Sequence, residues 1–389
     1  MLLALFGFIL ANSISESEFG VFSHAEAIVA ILSVFSLQGL DQLVQRELIQ
    51  RNFSEGEIFG TCLILKLLIA VIVLVLFYIL IPIIYEPSLL LWLIFILINN
   101  NVFRTFHFFS SLLICEDKYI KYSIIGITSA TISFVVKLIV LEYFNNFYSI
   151  AFSMIIESGL LFIFYIALYT KYRTGKLGFS KPFLRVLYSE GRYLILSGVI
   201  IILYTKIDLV MIGNFLSNND VAEYSLSTKV ITLFLIVGSV FNLGYVSKLN
   251  VNSSHYARIC REMILLTFVL GISITLFSYI FSPLLLNAFF PNKYINAQDY
   301  VMALSPVIFF GFLLSTTGRI LIVEGLAYVG FMRNLLALIA NVILNYHYIP
   351  LYGVYGAIFS SIISYIISSF IYLFLDKKSR TVIFKVFTR

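Results

Sequence analysis

Long apolar runs are the feature that most constrains how this sequence can fold. The hydrocarbon core of a bilayer is about 30 Å thick, so a helix needs about 20 apolar residues to cross it. Such runs follow one another along nearly the whole chain of 389 residues, of which 60% are hydrophobic and 12% are charged. Together with a mean hydropathy of +0.99, this pattern predicts an all-α polytopic membrane protein.

The runs predict about twelve transmembrane helices, because each run matches the length that a bilayer requires. They lie near residues 1–11, 20–40, 58–84, 89–115, 123–141, 149–169, 193–215, 223–247, 263–286, 300–324, 334–349 and 353–375. The first run is too short to cross a bilayer. We expect either that the sequence begins inside the true reading frame or that this form of the protein lacks half of its first helix.

Loop charges predict the orientation, because cytoplasmic loops carry an excess of Lys and Arg. If the N-terminus is inside, Lys293 is the one basic residue in an outer loop, 19 of the 26 basic residues lie in inner segments, Arg333 included, and the other six lie within spans. We therefore predict that both termini are cytoplasmic. The same bias accounts for the net charge of +6 without a nucleic-acid partner.

One segment of the chain is repeated. Residues 12–23 align without gaps with residues 214–225, matching Ser15 to Ser217 and Ser23 to Ser225. Parallel repeats are typical of transporters that hold a substrate between two halves. We predict two pseudo-symmetric six-helix lobes around a central cavity, divided into an N-terminal lobe (1–170), a basic cytoplasmic linker (171–192), a C-terminal lobe (193–375) and a basic cytoplasmic tail (376–389).

Basic residues inside the predicted spans are the candidate substrate-binding groups. A cation in a span costs at least about 2.5 kcal/mol and normally faces a water-filled cavity or a partner. Arg104 and Lys206 lie near the middle of their spans, and Lys66 is moderately deep. Asn100, Asn101 and His107 share a helical face with Arg104. We predict that this polar stripe lines the cavity with Lys206 and Lys66, although the two amides could instead bond neighbouring helices and Lys66 could snorkel.

The other embedded charges have simpler structural explanations. Lys137 can snorkel or reach Glu157 across a short loop, Lys229 can pair with Asp208 across a helical hairpin, and Arg319 can snorkel. Because a buried carboxylate can carry a proton, ion coupling to a H+ or Na+ gradient is the alternative role. The residues left open between ion-coupling and structural roles are Glu26, Glu157, Asp208 and Lys229.

Neither catalysis nor metal binding is indicated. The three cysteines have no paired spacing, the four histidines have no metal-ligand spacing, and no Gly-rich phosphate loop ends in Lys-Ser or Lys-Thr. We predict that the protein is not an enzyme and has no metal or cofactor.

Several short motifs occur in order along nearly the whole chain. They are Glu-Phe-Gly-Val-Phe at 18–22, Gly-Leu at 39–40, Asp-Leu-Val-Met-Ile-Gly at 208–213, Tyr-Ser at 224–225, and Asn-Tyr-His-Tyr-Ile-Pro-Leu-Tyr-Gly-Val-Tyr-Gly-Ala at 345–357. In these motifs the chain resembles the polysaccharide flippases (Wzx-type O-antigen transporters). The resemblance implies the multidrug/oligosaccharidyl-lipid/polysaccharide exporter superfamily, a two-lobed cavity and alternating access.

The resemblance implies that the chain carries an undecaprenyl-pyrophosphate-linked oligosaccharide, an O-antigen or capsule repeat unit, across the bacterial inner membrane. The embedded cations suit the pyrophosphate, and the bilayer suits the polyprenyl tail. Polysaccharide polymerase and chain-length machinery are the implied protein partners. Two alternatives remain: an ion-coupled exporter of small molecules, and a membrane enzyme of the same pathway, which would need larger outer loops than this chain has.

Overall fold

The computed structural model describes residues 2–33, 40–50, 52–84, 88–115, 118–144, 147–173, 175–245, 249 and 255–388. These residues form helices joined by short turns, and none of them forms a strand. Helices are expected in lipid, where every backbone polar group must be satisfied within its own segment. Ten described helices are long and apolar enough to cross a membrane, which confirms the predicted all-α polytopic class.

The helices are numbered in chain order. Their bounds are α1 (Leu2–Ser13), α2 (Glu16–Leu32), α3 (Leu40–Gln50), α4 (Glu55–Ile84), α5 (Leu89–Ile98), α6 (Asn100–Arg104), α7 (Ser110–Cys115), α8 (Tyr119–Tyr143), α9 (Phe147–Tyr172), α10 (Lys181–Phe215), α11 (Asn218–Leu243), α12 (Tyr256–Phe289), α13 (Ile295–Leu304), α14 (Pro306–Val323), α15 (Ala327–Tyr352), α16 (Val354–Ile366), α17 (Tyr372–Leu375) and α18 (Lys377–Thr388). A 3-10 segment (Thr105–Phe109) precedes α7, and a π-helical turn (Ile367–Ile371) precedes α17.

Two helices begin earlier in the chain than the sequence predicted, and each difference changes where basic residues lie. Helix α10 begins at Lys181 and not near 193, so a basic amphipathic stretch precedes its apolar part. Helix α15 begins at Ala327 and not near 334, so Arg333 is a buried residue within a helix and does not lie in an inner loop. Three predicted inner basic residues, Arg51, Lys248 and Arg389, lie outside the described residues.

The chain forms two compact units that are not consecutive in sequence. The first unit comprises Met1–Leu10 and Ala25–Ile202, and the second comprises Ala11–His24 and Leu203–Arg389. In the first unit, Phe59 stacks on Phe109 with ring centroids 5.3 Å apart and packs against Tyr169 at 5.0 Å. These rings form the centre of an apolar core that joins α3, α4, α9 and α10.

The repeated segments begin their helices in the same way. At α2, the Ser15 hydroxyl donates to Glu18 at 2.6 Å and accepts from its backbone N–H at 3.3 Å. At α11, Ser217 and Asp220 make the same pair of bonds at 2.6 and 3.3 Å. Both are capping boxes, which satisfy N–H groups that the first turn leaves free. The aligned residues therefore share a conformation as well as a pattern.

Two glycines allow close packing of these segments inside the second unit. A Cβ atom on Gly20 would lie 1.8 Å from the backbone oxygen of Asn218, and one on Gly213 would lie 2.3 Å from the His24 ring. Contacts this short leave no room for a side chain at either position unless the neighbouring atoms move. The start of α2 therefore lies directly against the start of α11, and the end of α10 against His24.

A turn after α12 binds the end of α1, also within the second unit. The Lys293 ammonium donates to the backbone oxygens of Asn12 (2.9 Å) and Ile14 (3.1 Å). The buried Tyr294 donates its hydroxyl to the Ala11 oxygen at 2.8 Å, and its backbone N–H donates to Glu16 at 2.9 Å. A cation at a helix C-terminus is favoured by the helix dipole. We call this cluster the Lys293 corner.

Candidate functional site

The first group of predicted site residues is held together by a carboxylate that the sequence did not indicate. Lys66 lies about three turns into α4 and is 2% exposed, and its ammonium donates to Asp41 Oδ1 at 2.8 Å. The other oxygen of Asp41 lies 3.8 Å from His107 Nδ1. Lys66 also lies 5.1 Å from the centre of the Phe108 ring. The structure therefore brings Lys66 and His107 together through Asp41 at the start of α3.

The charge of Asp41 follows from this environment. Asp41 lies outside the ten candidate spans. Burial raises the pKa of its carboxyl, but His107 and Lys66 outweigh burial and hold the pKa below its ordinary value of 3.8. Asp41 is therefore ionised at neutral pH and neutralises the buried ammonium.

The residues of the predicted polar stripe in the fourth span differ in burial, and the stripe crosses a change in backbone geometry after Arg104. The span changes from α-helix to a 3-10 segment at Thr105, and 3-10 structure repeats every three residues. Arg104 is exposed, His107 is partly exposed, and Asn101 is buried. Asn101 Nδ2 and Asn100 Oδ1 are buried and have no hydrogen-bond partner among the described residues. The amides and the guanidinium therefore lie in different environments although they are neighbours in sequence.

Lys137 and Glu157 form the ion pair that the sequence suggested. The Lys137 ammonium, 2% exposed, lies 3.5 Å from Glu157 Oε2 and 5.7 Å from the centre of the Phe6 ring. Glu26 is partly exposed in the same unit and also interacts electrostatically with Lys137. These contacts favour a structural role for all three charges.

Asp208 is surrounded by neutral donors in the second unit. It accepts hydrogen bonds from Asn345 Nδ2 at 2.6 Å, from the Tyr224 hydroxyl at 2.8 Å and from the Ser361 hydroxyl. These donors are neutral groups of α11, α15 and α16, and the pairing of Asp208 with Lys229 stays a prediction. Asn341 is bonded to Asn345 at 3.1 Å, and Asn345 Oδ1 has no partner within the described chain. We call Asp208, Tyr224, Asn341, Asn345 and Ser361 the Asp208 cluster.

The other cations of the second unit differ in burial. Lys206, Lys229 and Arg319 are each partly exposed. Arg333 is buried, and its guanidinium donates to Thr317 Oγ1 (2.9 Å) and to the Leu314 oxygen (3.0 Å). The sequence placed Arg333 in a loop, so its burial was missed. A Cβ on Gly318 would lie 2.7 Å from this guanidinium, so a glycine at 318 makes room for it.

An aromatic cavity lies where α15 meets α16 in the second unit. Its volume is about 330 Å³, and it is lined by Tyr348, Tyr352, Tyr355, Gly356 and Phe359. No cluster of three or more His, Cys, Asp or Glu side chains that could hold a metal occurs in the described part of the chain.

The comparisons with known proteins assign the family. The family model described as "Polysaccharide biosynthesis protein" matches residues 1–242, well over half of the chain. The chain belongs to the polysaccharide biosynthesis protein family. The resemblance that the motifs indicated is thus confirmed. A search of the curated proteins finds no match.

Solved structures share the fold of this polysaccharide biosynthesis protein. The lipid II flippase MurJ in an inward closed conformation is 14% identical with a TM-score of 0.79, over 99% of this chain and 90% of that one. An inward-facing multidrug resistance MATE transporter of the MOP superfamily is 12% identical with a TM-score of 0.77, over 100% and 95%. An outward-facing MATE transporter is 15% identical with a TM-score of 0.66, over 98% and 94%. At these identities the likeness establishes the fold.

Proposed function

We propose that this protein is a flippase that moves an undecaprenyl-pyrophosphate-linked oligosaccharide from the inner to the outer leaflet of the bacterial cytoplasmic membrane. The substrate would be an O-antigen or capsule repeat unit, moved by alternating access. Family membership and a fold shared with a lipid II flippase support the proposal. The chain would work beside the polysaccharide polymerase and chain-length machinery, with both termini in the cytoplasm.

The observation that carries this proposal is the exposed guanidinium of Arg104. Arg104 lies near the centre of the candidate span Leu89–Cys115, and it is exposed. Hydrocarbon cannot solvate such a charge, so it faces water or an anionic ligand. A pyrophosphate that crosses the bilayer needs this type of group on its route. Lys206, partly exposed in the span Gly198–Phe215, is the corresponding group of the second unit.

The Asp208 cluster is the best candidate for ion coupling. It offers a carboxylate, amide oxygens and hydroxyls, the hard oxygen ligands that suit Na+, and the carboxylate alone could hold a proton. The Asn345 Oδ1 atom without a partner fits an additional ligand at this place.

A second candidate function is an ion-coupled exporter of small molecules. The likeness to multidrug resistance transporters favours it. The charge of the embedded groups argues against a cationic substrate. Arg104 and Lys206, which we propose to lie on the substrate route, are positively charged and would repel it.

Complementation tests the main proposal. The chain would be expressed with the biosynthetic genes of its own glycan in a host without a flippase. We expect surface polysaccharide with the wild type and its loss with Arg104→Gln or Lys206→Gln, measured on whole cells by glycan staining. Membrane levels of each variant would be compared by immunoblotting.

Arg319→Gln is the matched control, because Arg319 lies in a span but at its inner end, where snorkelling satisfies the charge. We expect this variant to retain surface polysaccharide. Full activity of an Arg104→Ala/Lys206→Ala double variant would contradict the proposal.

A further inference from the structure

The group formed by Asp41, Lys66 and His107 is buried at Lys66 and accessible to solvent at His107. Lys66 is 2% exposed, Asp41 is 25% exposed and His107 is 44% exposed. The ammonium is therefore enclosed, while the imidazole can exchange a proton with water. Histidine is the side chain whose charge most readily changes near neutral pH.

Few other titratable groups face this one. Helix α3 packs against α4, α7 and the 3-10 segment. Of these, α4 contributes Lys66 and Cys62, α7 contributes Cys115, and the 3-10 segment contributes His107. On α3 itself, Glu47 accepts a hydrogen bond from Asn52. Tyr165 of α9 lies edge-on to His107 at 5.4 Å and has Tyr122 beside it, and Arg104 lies exposed on α6. Among the groups described here, the Asp41 carboxylate has one ammonium and one imidazole as its ionisable contacts.

We propose that Asp41 is an exchangeable counter-ion: the substrate phosphate replaces it on Lys66, and His107 then takes up a proton to pair with the released carboxylate. This inference rests on the proposed function and adds a linkage between phosphate binding and proton uptake. It gives Asp41 the role of a positioning residue, since it acts through Lys66 and His107.

The exchange follows from the charges of the two anions. A pyrophosphate carries more negative charge than a carboxylate and offers more acceptor oxygens to an ammonium, so it can displace Asp41. The displaced carboxylate would remain partly buried without a cation, which is unfavourable. His107 Nδ1 is already 3.8 Å away, and a proton from water converts it into the missing cation.

The step balances in charge and protons. The proposed step starts with Lys66 paired with Asp41 and with His107 as the imidazole that will accept the proton. Afterwards, Lys66 is paired with a phosphate oxygen, and Asp41 is paired with a protonated His107 whose additional proton comes from water. Phosphate release reverses the step. Because at most one proton is linked to each phosphate bound, affinity should rise by up to about tenfold per unit fall in pH.

Calorimetry on the purified full-length protein tests this linkage. The probe is farnesyl pyrophosphate, which carries the isoprenoid pyrophosphate without the glycan. Titrations at pH 7.5 in two buffers of different ionisation enthalpy give the number of protons taken up per probe bound. We expect the wild type to take up more protons than His107→Gln, by up to one per probe. Protonation of the probe itself cancels in this difference.

The matched control is His347→Gln, since His347 is an exposed histidine of α15 in the other unit. It should take up as many protons as the wild type. Asp41→Asn removes the competing anion, so we expect tighter probe binding without the His107-dependent uptake. Asp41→Glu restores the carboxylate and should recover both wild-type values, also if Asp41→Asn fails to fold.

The outcomes separate this inference from the proposed function. If the wild type binds the probe but takes up no more protons than His107→Gln, the counter-ion exchange is wrong and the flippase proposal stands. If the wild type does not bind the probe at all, both are wrong.

Discussion

Asp208 is a buried carboxylate whose hydrogen bonds come from neutral groups in the part of the chain that the structure describes. Among the described residues, its oxygens receive hydrogen bonds from the neutral groups of Tyr224, Asn345 and Ser361. A buried carboxylate without a cation is costly and is retained mainly where it serves a function. The same residue would be dispensable if it merely joined helices, because an amide of equal size can make similar hydrogen bonds.

Asp208→Asn should therefore keep the fold and lose the ion response. We expect NaCl, compared with choline chloride, to raise the unfolding temperature of the wild type if Na+ is the ion, because a ligand that binds the folded state stabilises it. If the ion is H+, we expect a lower pH, and not NaCl, to raise the unfolding temperature of the wild type. Differential scanning fluorimetry of the purified protein measures both.

Glu157→Gln serves as the control for this prediction, since Glu157 already has Lys137 as its partner. It should respond to the ion as the wild type does. An unchanged ion response of Asp208→Asn would contradict the assignment.

The residue pairs that sequence could predict are those that are close in the chain. Lys137 and Glu157 lie on consecutive helices joined by a short loop, so depth alone suggested their contact. Asp41 was missed because α3 is a short helix outside the apolar runs, and nothing local indicates that it packs on α4. The partners of Asp208 were missed for a similar reason: Asn345 and Ser361 lie on distant helices, and only tertiary packing brings them together.

At the scale of helices, the predicted spans were mostly right and their internal geometry was not. Apolar length predicts that residues 89–115 form one span, and they do. The same signal contains no information on the 3-10 segment at Thr105–Phe109, so α-helical periodicity does not describe the part of the polar stripe between Arg104 and His107. The capping boxes, by contrast, are local in sequence and could be found from Ser and an acidic residue three positions later.

The two repeat-related caps should contribute equally to stability. Ser15→Ala and Ser217→Ala each remove an N-cap hydroxyl and should each lower the free energy of unfolding by about 1 kcal/mol. Denaturation in increasing SDS, followed by circular dichroism, gives the values. Ser189→Ala is the control, since Ser189 is exposed within α10 and bonds only the Val186 oxygen at 3.4 Å. A much smaller effect at one of the two caps would show that the repeat is not equivalent there.

For the whole molecule, composition alone was enough to predict the class, because lipid admits few backbone architectures. Ten candidate spans agree with that class, and the two lobes of the sequence remain a prediction about domains. The compact units differ from these lobes at two places: residues 11–24 group with the second unit, and residues 193–202 group with the first. Sequence could not indicate this, since it depends on contacts between segments that are far apart, such as Lys293 with Asn12 and Ile14.

The orientation is testable on the intact protein. Single cysteines would replace Ile295, exposed after the Lys293 corner, and Lys176, exposed in the basic linker, in a variant without native cysteines. We expect a membrane-impermeant thiol reagent to label residue 295 in whole cells and residue 176 only after permeabilisation. The opposite pattern would reverse the assigned orientation.

The Lys293 corner has a consequence for dividing this protein into fragments. A gene cut in the linker at 171–192 would yield a C-terminal piece that lacks residues 11–24, and with them the backbone oxygens that Lys293 and Tyr294 bind. Gly20 would no longer cover the start of α11. Such a piece could not complete its own compact unit. If two fragments were co-expressed, the N-terminal fragment would have to supply residues 11–24 before the second unit could form.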